Sequence, residues 1–332
     1  MTIRTGSTTT ASLRAARGLR LRGVTWLIWR QHRATFWTMI AATAAGVAWI
    51  AFQRARMMEY LDLYSWPHPK SDDWIQGFTP HIQSLHQSGY AVALVPGLLG
   101  VFVGAPLLAG DLENGTVKLV TSQSVSRVRW LSAKLGITLC VVVVCTMVLS
   151  LAFGWWCGPV KATPVLSWAD DPVIDSTGPM PTSLTLFTVV AGVAIGMLLR
   201  RVLMAMVVTF GLAVVVQFLW GYFRLSLGTV ATVTTHDGVA APTLRLPPGA
   251  YLTDQSFLTS SGRTIGWSTC TSEPPGKAHA ACLAKDHVVG WSVEYLPLSR
   301  MFTVQWSGAA VLLAMACAVM AFVLLRSRQR LV

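Results

Sequence analysis

The sequence predicts an all-α integral membrane protein: six transmembrane helices, N- and C-termini cytoplasmic, and a large extracellular loop between helices 5 and 6. Three observations predict it. Hydrophobic residues make up 53% of the 332-residue chain and charged residues only 12%, against about 25% charged in soluble domains. Six apolar stretches, 34–53, 91–110, 135–158, 180–199, 202–222 and 307–325, contain no Asp, Glu, Lys, Arg or His. The remaining charges divide unevenly between the two sides that these stretches would define.

Each stretch approaches the ~20 residues that an α-helix needs to cross the hydrocarbon core. A lone charge at the centre of such a helix costs about 2.5–3.5 kcal/mol. Six stretches without one distinguish this chain from a soluble protein with buried helices. With the N-terminus inside, segments 1–33, 111–134, 200–201 and 326–332 face the cytoplasm. They hold 16 of the 26 Lys and Arg and, of the 14 acids, only Asp111 and Glu113. Positive charge on the cytoplasmic side sets orientation in membranes. The net charge of +12 therefore reports orientation and requires no nucleic acid. Trp155, Trp156, Trp220 and Trp306 fall at outer ends, and Trp29, Trp37 and Trp130 at inner ends, as an aromatic belt requires. The first apolar run is too long for a signal-peptide core, and no small-residue cleavage site precedes Arg54-Ala55-Arg56.

Along the chain, residues 1–19 read as a disordered cytoplasmic tail, polar and simple over 1–12. Residues 20–33 read as an amphipathic interfacial helix. Arg22, Trp26, Trp29, Arg30 and Arg33 share one face, and Val24, Leu27 and Ile28 take the other. Such a basic, Trp-bearing helix lies in the inner membrane interface; an anchor of positive charge ahead of the span is the alternative. Residues 34–222 then carry helices 1–5, and 307–332 carry helix 6 with a basic cytoplasmic tail. The second span holds Pro96, Pro106, Gly100 and Gly104, and the fourth holds Gly192 and Gly196. Small residues four apart let membrane helices approach closely.

The extracellular loop 223–306 includes 229–235, which alternates like a strand, followed by Pro247-Pro248 and the turn-rich 260–267. Cys270 and Cys282 lie here, on the oxidising side. A disulfide between them would close a short loop and stabilise it by around 3 kcal/mol; two free thiols are the alternative. Cys140, Cys145, Cys157 and Cys317 fall in spans, where cysteine behaves as a small apolar residue.

Several chemistries are absent. Ion-coupled transport needs an ionisable group within the membrane, and none of the six stretches has one. No ring of charge or filter loop marks a selective channel. No paired-histidine protease motif and no phosphate-cradling G-x-x-x-x-G-K-[ST] is present. His81 and His86 sit a helical turn apart, as solvated surface residues. The chain binds no metal or cofactor in this reading. Any active transport must draw energy from a partner on the cytoplasmic side.

The segment 111–134 is the longest cytoplasmic loop between spans. Ser126 suits a helix cap, so Arg127 through Lys134 run straight into the third span. A compact polar loop at the membrane surface suits docking to a cytoplasmic protein; a plain connector with positive-inside arginines is the alternative.

The stretch 104–136 resembles the corresponding loop of bacterial ABC-2 type transporter permeases. The resemblance is carried by Glu113 with Gly115-Thr116, then Thr121, Gln123-Ser124, Ser126-Arg127 and Arg129-Trp130. Tyr295, Pro297, Ser299-Arg300, Phe302 and Gln305-Trp306 enter the last span in a similar way, as does 22–37 the first. The chain departs from the pattern at Gly110-Asp111, where a basic or small residue followed by Glu is expected, and at Ser307-Gly308, where an acid is common.

The resemblance implies a six-span permease working as a dimer, of identical or different chains, with a separate cytoplasmic ABC ATP-binding subunit that uses ATP and Mg. It implies that 113–130 form the region coupled to the ATPase, through Glu113, Gly115, Thr116, Gln123, Ser124, Arg127, Arg129 and Trp130. It also implies that 20–33 form a connecting helix. The expected function is export across the plasma membrane, without catalysis by this chain. Spans that offer polar groups such as Thr209 and Gln217 but no charge favour an apolar or amphipathic substrate. A non-transporting sensor or immunity subunit that binds a ligand at the outer loop is the rival reading. A membrane-embedded enzyme ranks lowest, since no nucleophile, metal set or carboxylate pair assembles in the spans. Expected partners are the ATPase, a second permease chain and membrane lipids, with no nucleic acid.

Overall fold

The computed structural model describes residues 24–115, 127–163, 165–236, 246–274 and 276–329. The tail 1–19 and Arg22 lie outside these, as does most of the loop between the second and third spans. In chain order the elements are α1 (Val24–Asp62), α2 (Trp74–Gly77), α3 (Thr79–Leu99), a π turn (Gly100–Gly104) and α4 (Ala105–Glu113). There follow α5 (Arg127–Cys157), α6 (Asp171–Ser176), α7 (Met180–Leu199), α8 (Val202–Phe223), β1 (Ala231–Thr235), β2 (Tyr251–Thr259) and β3 (Thr264–Gly266). The chain closes with α9 (Lys277–Lys285), β4 (Val288–Leu296) and α10 (Met301–Gln329).

Six helices are long and apolar enough to cross a membrane: Trp26–Asp62, Thr79–Glu113, Val128–Cys157, Met180–Leu199, Val202–Leu227 and Leu298–Ser327. They alternate in direction, so one end of the bundle carries both chain ends and the 111–134 connection, and the other carries the strands. These are called here the loop end and the sheet end. Several helices outrun the apolar stretches. The first is 37 residues long, about 55 Å against a core of roughly 30 Å. Helical hydrogen bonding continues past the apolar boundary because polar side chains are tolerated once they reach the interface.

The expected boundary at 33/34 is therefore corrected. Residues 24–33 are no separate interfacial helix but the first turns of α1, which runs on without Gly or Pro as far as Gly46. The expected apolar face is corrected too. Ile28, Phe36 and Met39 form the buried stripe, while Leu27 is exposed beside Trp26.

The hub is α7. In its apolar window 72% of residues are buried, against 17% in the first and fifth spans. Its contact with the second span is backbone on backbone. A Cβ on Gly192 would meet the Gly100 carbonyl oxygen at 2.7 Å, and one on Gly104 would meet the Val189 oxygen at 2.5 Å. The two small-residue pairs thus pack on each other, as close membrane-helix crossings require. The π turn sits at this crossing, between Pro96 and Pro106, each of which lacks a backbone donor. Two side chains bond the carbonyls on its N-terminal side: Thr188 Oγ1 donates to Pro96 O at 2.7 Å, and Gln217 Nε2 donates to Ala93 O at 2.7 Å.

The segment after α8 is not a plain loop, and the chain is not all-α. Four strands form an antiparallel sheet in the order β1-β4-β2-β3. Phe257 of β2 faces Trp291 of β4 and Ile265 of β3, over a small core with Leu283 and Val288. Cys270 and Cys282 are joined by a disulfide, with Cα atoms 6.0 Å apart, which closes the turn after β3 onto α9. Leu296 and Val304 pack on Trp168, Ala169 and Ile174, and so seat the sheet on the bundle.

The glycine crossing is directly testable. Gly192→Ala places a methyl against the Gly100 carbonyl and should destabilise the detergent-solubilised protein by about 1–3 kcal/mol. Gly211→Ala, on α8 with nothing within 4 Å, should be neutral or slightly stabilising. Thermal unfolding of the two variants checks this; equal melting temperatures would refute the crossing.

Candidate functional site

At the loop end, α4 delivers two acids into the bundle. The carboxylate of Glu113 accepts a hydrogen bond from the Val202 backbone N–H at 2.8 Å, which caps the start of α8. A carboxylate there satisfies an orphan donor and complements the positive end of the helix dipole. Arg200, with φ of 57°, makes the tight turn from α7 that presents this N-terminus. Gly115 follows the helix end at φ of 68°. Glycine suits this left-handed position after a helix C-cap. Two residues of the expected coupling set thus have local structural work.

Asp111, two residues back towards the π turn, forms an ion pair and hydrogen bond with Lys134 of α5. Lys134 is 1% exposed. Its ammonium also lies 5.3 Å from the centroid of the Trp130 ring. His32 of α1 lies within electrostatic reach of both charges, and its Nε2 is buried without a hydrogen-bond partner. Spans 1, 2 and 3 are therefore gathered around one buried charge pair. From the sequence, Asp111 falls in the loop and Lys134 in the helical run into the third span, with nothing to pair them and no role for His32.

The remaining expected coupling residues separate into two groups. Trp130 is 6% exposed and packs with Leu107, Leu131, Met197 and Val323. It is wedged within the bundle. Arg127 is the first residue of α5, and Arg129 stands exposed two residues on. Thr116, Gln123 and Ser124 lie outside the described residues. In α1, Arg30 stacks over the Trp26 ring at 5.3 Å. Trp29 contacts Phe36 with ring centroids 5.2 Å apart, and Arg33 is exposed.

Of the two polar groups suggested for a pathway, Gln217 is committed to the Ala93 carbonyl. Thr209 is buried on α8, with a hydroxyl that has no partner.

The sheet end holds a second buried charge that sequence reasoning placed in a solvated loop. Arg224 is 5% exposed and pairs with Asp171 and, at 3.0 Å, with Asp175. Trp220 Nε1 donates to Asp175 at 2.7 Å. Burial pushes the Asp175 carboxyl up to about 6, against the pull of the Trp220 N–H. The guanidinium beside it also favours the carboxylate, which is the form held at neutral pH. Gln305 of α10 donates to Thr177 Oγ1 at 2.9 Å and to Thr177 O at 3.1 Å, and so ties the last span to α6.

Breaking one half of the loop-end pair should be costly. Lys134→Met removes the buried cation that faces Asp111 and should destabilise by about 3–5 kcal/mol. The double change Lys134→Met with Asp111→Asn should recover part of that loss. A double-mutant cycle on detergent-solubilised protein measures the coupling, and additive effects would contradict it.

The family described as ABC-2 membrane transporter related matches residues 40–224, more than half of the chain. No curated protein and no solved structure matches it. The matched range takes in most of α1, the π turn, the glycine crossing, Glu113 and its α8 contact, the Asp111–Lys134 pair and Arg224. The chain belongs to the ABC-2 membrane transporter related family and is a multi-pass membrane protein of the transporter-permease type.

Proposed function

We propose that this chain is the transmembrane subunit of an ATP-driven exporter in the plasma membrane, with its loop end in the cytoplasm. ATP and Mg are used by a separate ABC ATP-binding subunit docked on 111–134, and a second permease chain completes the passage. This chain binds no cofactor and catalyses no reaction. The reading is supported above all by the two bonds of α4, from Glu113 to the start of α8 and from Asp111 to Lys134 of α5. A partner that displaces the loop would move the starts of two further spans with it. The π turn is the natural place for the second span to give, since such turns mark helix distortions at functional sites.

An apolar or amphipathic substrate, such as a lipid-like compound, drug or peptide antibiotic, fits this reading. The two buried charges are paired at the ends of the bundle, which leaves the middle of the spans uncharged. One observation favours the rival reading of a sensor or immunity subunit: the segment beyond α8 folds as a disulfide-closed sheet with a core of its own.

A pull-down separates the two. The tagged chain, expressed in its own host and purified in detergent, should bring down an ATP-binding subunit with measurable ATPase activity. Arg127→Ala with Arg129→Ala should lower the co-eluting activity by about tenfold. Glu113→Gln, whose amide oxygen still caps α8, should leave folding intact and report the carboxylate charge alone. If a folded chain brings down no ATPase, the permease reading fails and the sensor reading stands.

A further inference from the structure

Between α1, α3 and α5 the bundle leaves a groove of about 630 Å³. It exists because α1 leans on α5 along its length and meets α3 at few points. Leu149 of α5 closes the back, and the walls are small or apolar side chains such as Ala42, Ala91 and Val95. Trp49 Nε1 donates to Ser88 Oγ at 3.2 Å and fixes the separation of the walls towards the sheet end.

The walls follow a seven-residue step, which is close to two helical turns and keeps side chains on one face. On α1 the lining includes Thr35, Ala42 and Trp49; on the second span it includes Phe102, Val95 and Ser88. The next step outwards on each wall is a basic residue. It is Arg56 on α1 and His81 on α3, and these two lie within electrostatic reach of each other. Gln87 adds an amide donor just inside this mouth. The groove is thus apolar in its depth and cationic and hydrogen-bonding at its sheet end.

From Thr35 to Trp49 it runs fourteen residues, about 21 Å, longer than one leaflet of a core roughly 30 Å thick. That length, the apolar walls and the cation at the mouth suit one lipid acyl chain with its headgroup at the sheet end.

We propose that this groove binds one acyl chain of an anionic phospholipid from the leaflet at the sheet end, with the phosphate held by Arg56 and the donors beside it. The chain replaces bulk lipid along α1 and α3, and the headgroup joins two helices that otherwise barely touch. The inference rests on the membrane location of the protein and not on the proposed export, so the failure of either leaves the other standing.

Native mass spectrometry of the full-length protein in detergent tests it with phosphatidylglycerol, phosphatidylethanolamine and diacylglycerol of matched chains. Wild type should retain one phosphatidylglycerol in preference to the other two. Ala42→Trp and Ala91→Trp, each at an exposed groove-facing position, should reduce retention by about tenfold. Arg56→Gln should abolish the preference for phosphatidylglycerol over diacylglycerol while retaining the acyl chain. On wild type, phosphatidylglycerol with a mid-chain photoreactive group should label peptides around 42–50 and 88–98. Unchanged retention in both filled variants would overturn the proposal. So would labelling spread evenly over the exposed face of α8, or cross-links between two copies through the groove. An Arg56→Gln protein with unchanged lipid preference would overturn the headgroup assignment.

Discussion

The backbone of the second span touches the backbone of α7 at Gly100, Gly104, Gly192 and Gly196, and the rest of the bundle is arranged around that contact. Within lipid there is no hydrophobic drive between helices, so their association depends on close packing and on hydrogen bonds. An added Cβ at Gly192 or Gly104 would fall within 3 Å of partner backbone, a distance no repacking of side chains relieves. The approach also brings Thr188 within reach of the Pro96 carbonyl. One constraint therefore explains both the central burial of α7 and the survival of a helix that carries two prolines and a π turn.

The ends of the bundle are held differently. Burying a charge is costly unless it is paired and hydrogen-bonded, and among the described residues Lys134 and Arg224 are buried cations, one at each end. Lys134 is answered by Asp111, and Arg224 by Asp171 and Asp175. Each pair joins separate elements: α4 with α5, and the turn that follows α8 with α6. Between them lie the apolar middles of the spans, where packing alone operates and where the π turn interrupts regular hydrogen bonding. The strongest cross-links thus stand at the two ends, and the most deformable backbone in the second span stands between them.

The spans were legible because the hydrocarbon core demands some twenty apolar residues, and a sequence either supplies them or does not. Their ends were legible in part. The start of α5 at Arg127 was readable from Ser126 as a cap, but Asp111 reads as a loop residue and yet is helical and paired with Lys134, because each supplies the partner that makes the other tolerable. The glycine pairs were visible as motifs, but nothing in a single sequence says that one pair packs on the other. The strand at 229–235 was readable by its alternation. The sheet as a whole was not: β2 carries the polar run Thr253-Asp254-Gln255 after its first two residues, and its partner β4 begins only at Val288, beyond β3 and α9. Trp130 misled because a tryptophan between basic residues looks interfacial, whereas its ring is buried under the Lys134 ammonium and against α7 and α10.

Much of the polar pattern around the loop has a physical origin within the bundle itself. Glu113 is required where it stands because α8 begins 2.8 Å away with an unsatisfied N–H; Gly115 because the chain leaves α4 with φ of 68°; Asp111 because Lys134 is buried; Trp130 because three spans close on it. All four would be needed in a bundle of this shape with nothing docked to it. Three helix ends, those of α4, α5 and α8, are thereby bonded to one another through the Asp111–Lys134 pair and through Glu113. In the proposed exporter a displacement of α5 would reach α4 through the ion pair and α8 through Glu113, so the bonds at the loop end decide which spans move together.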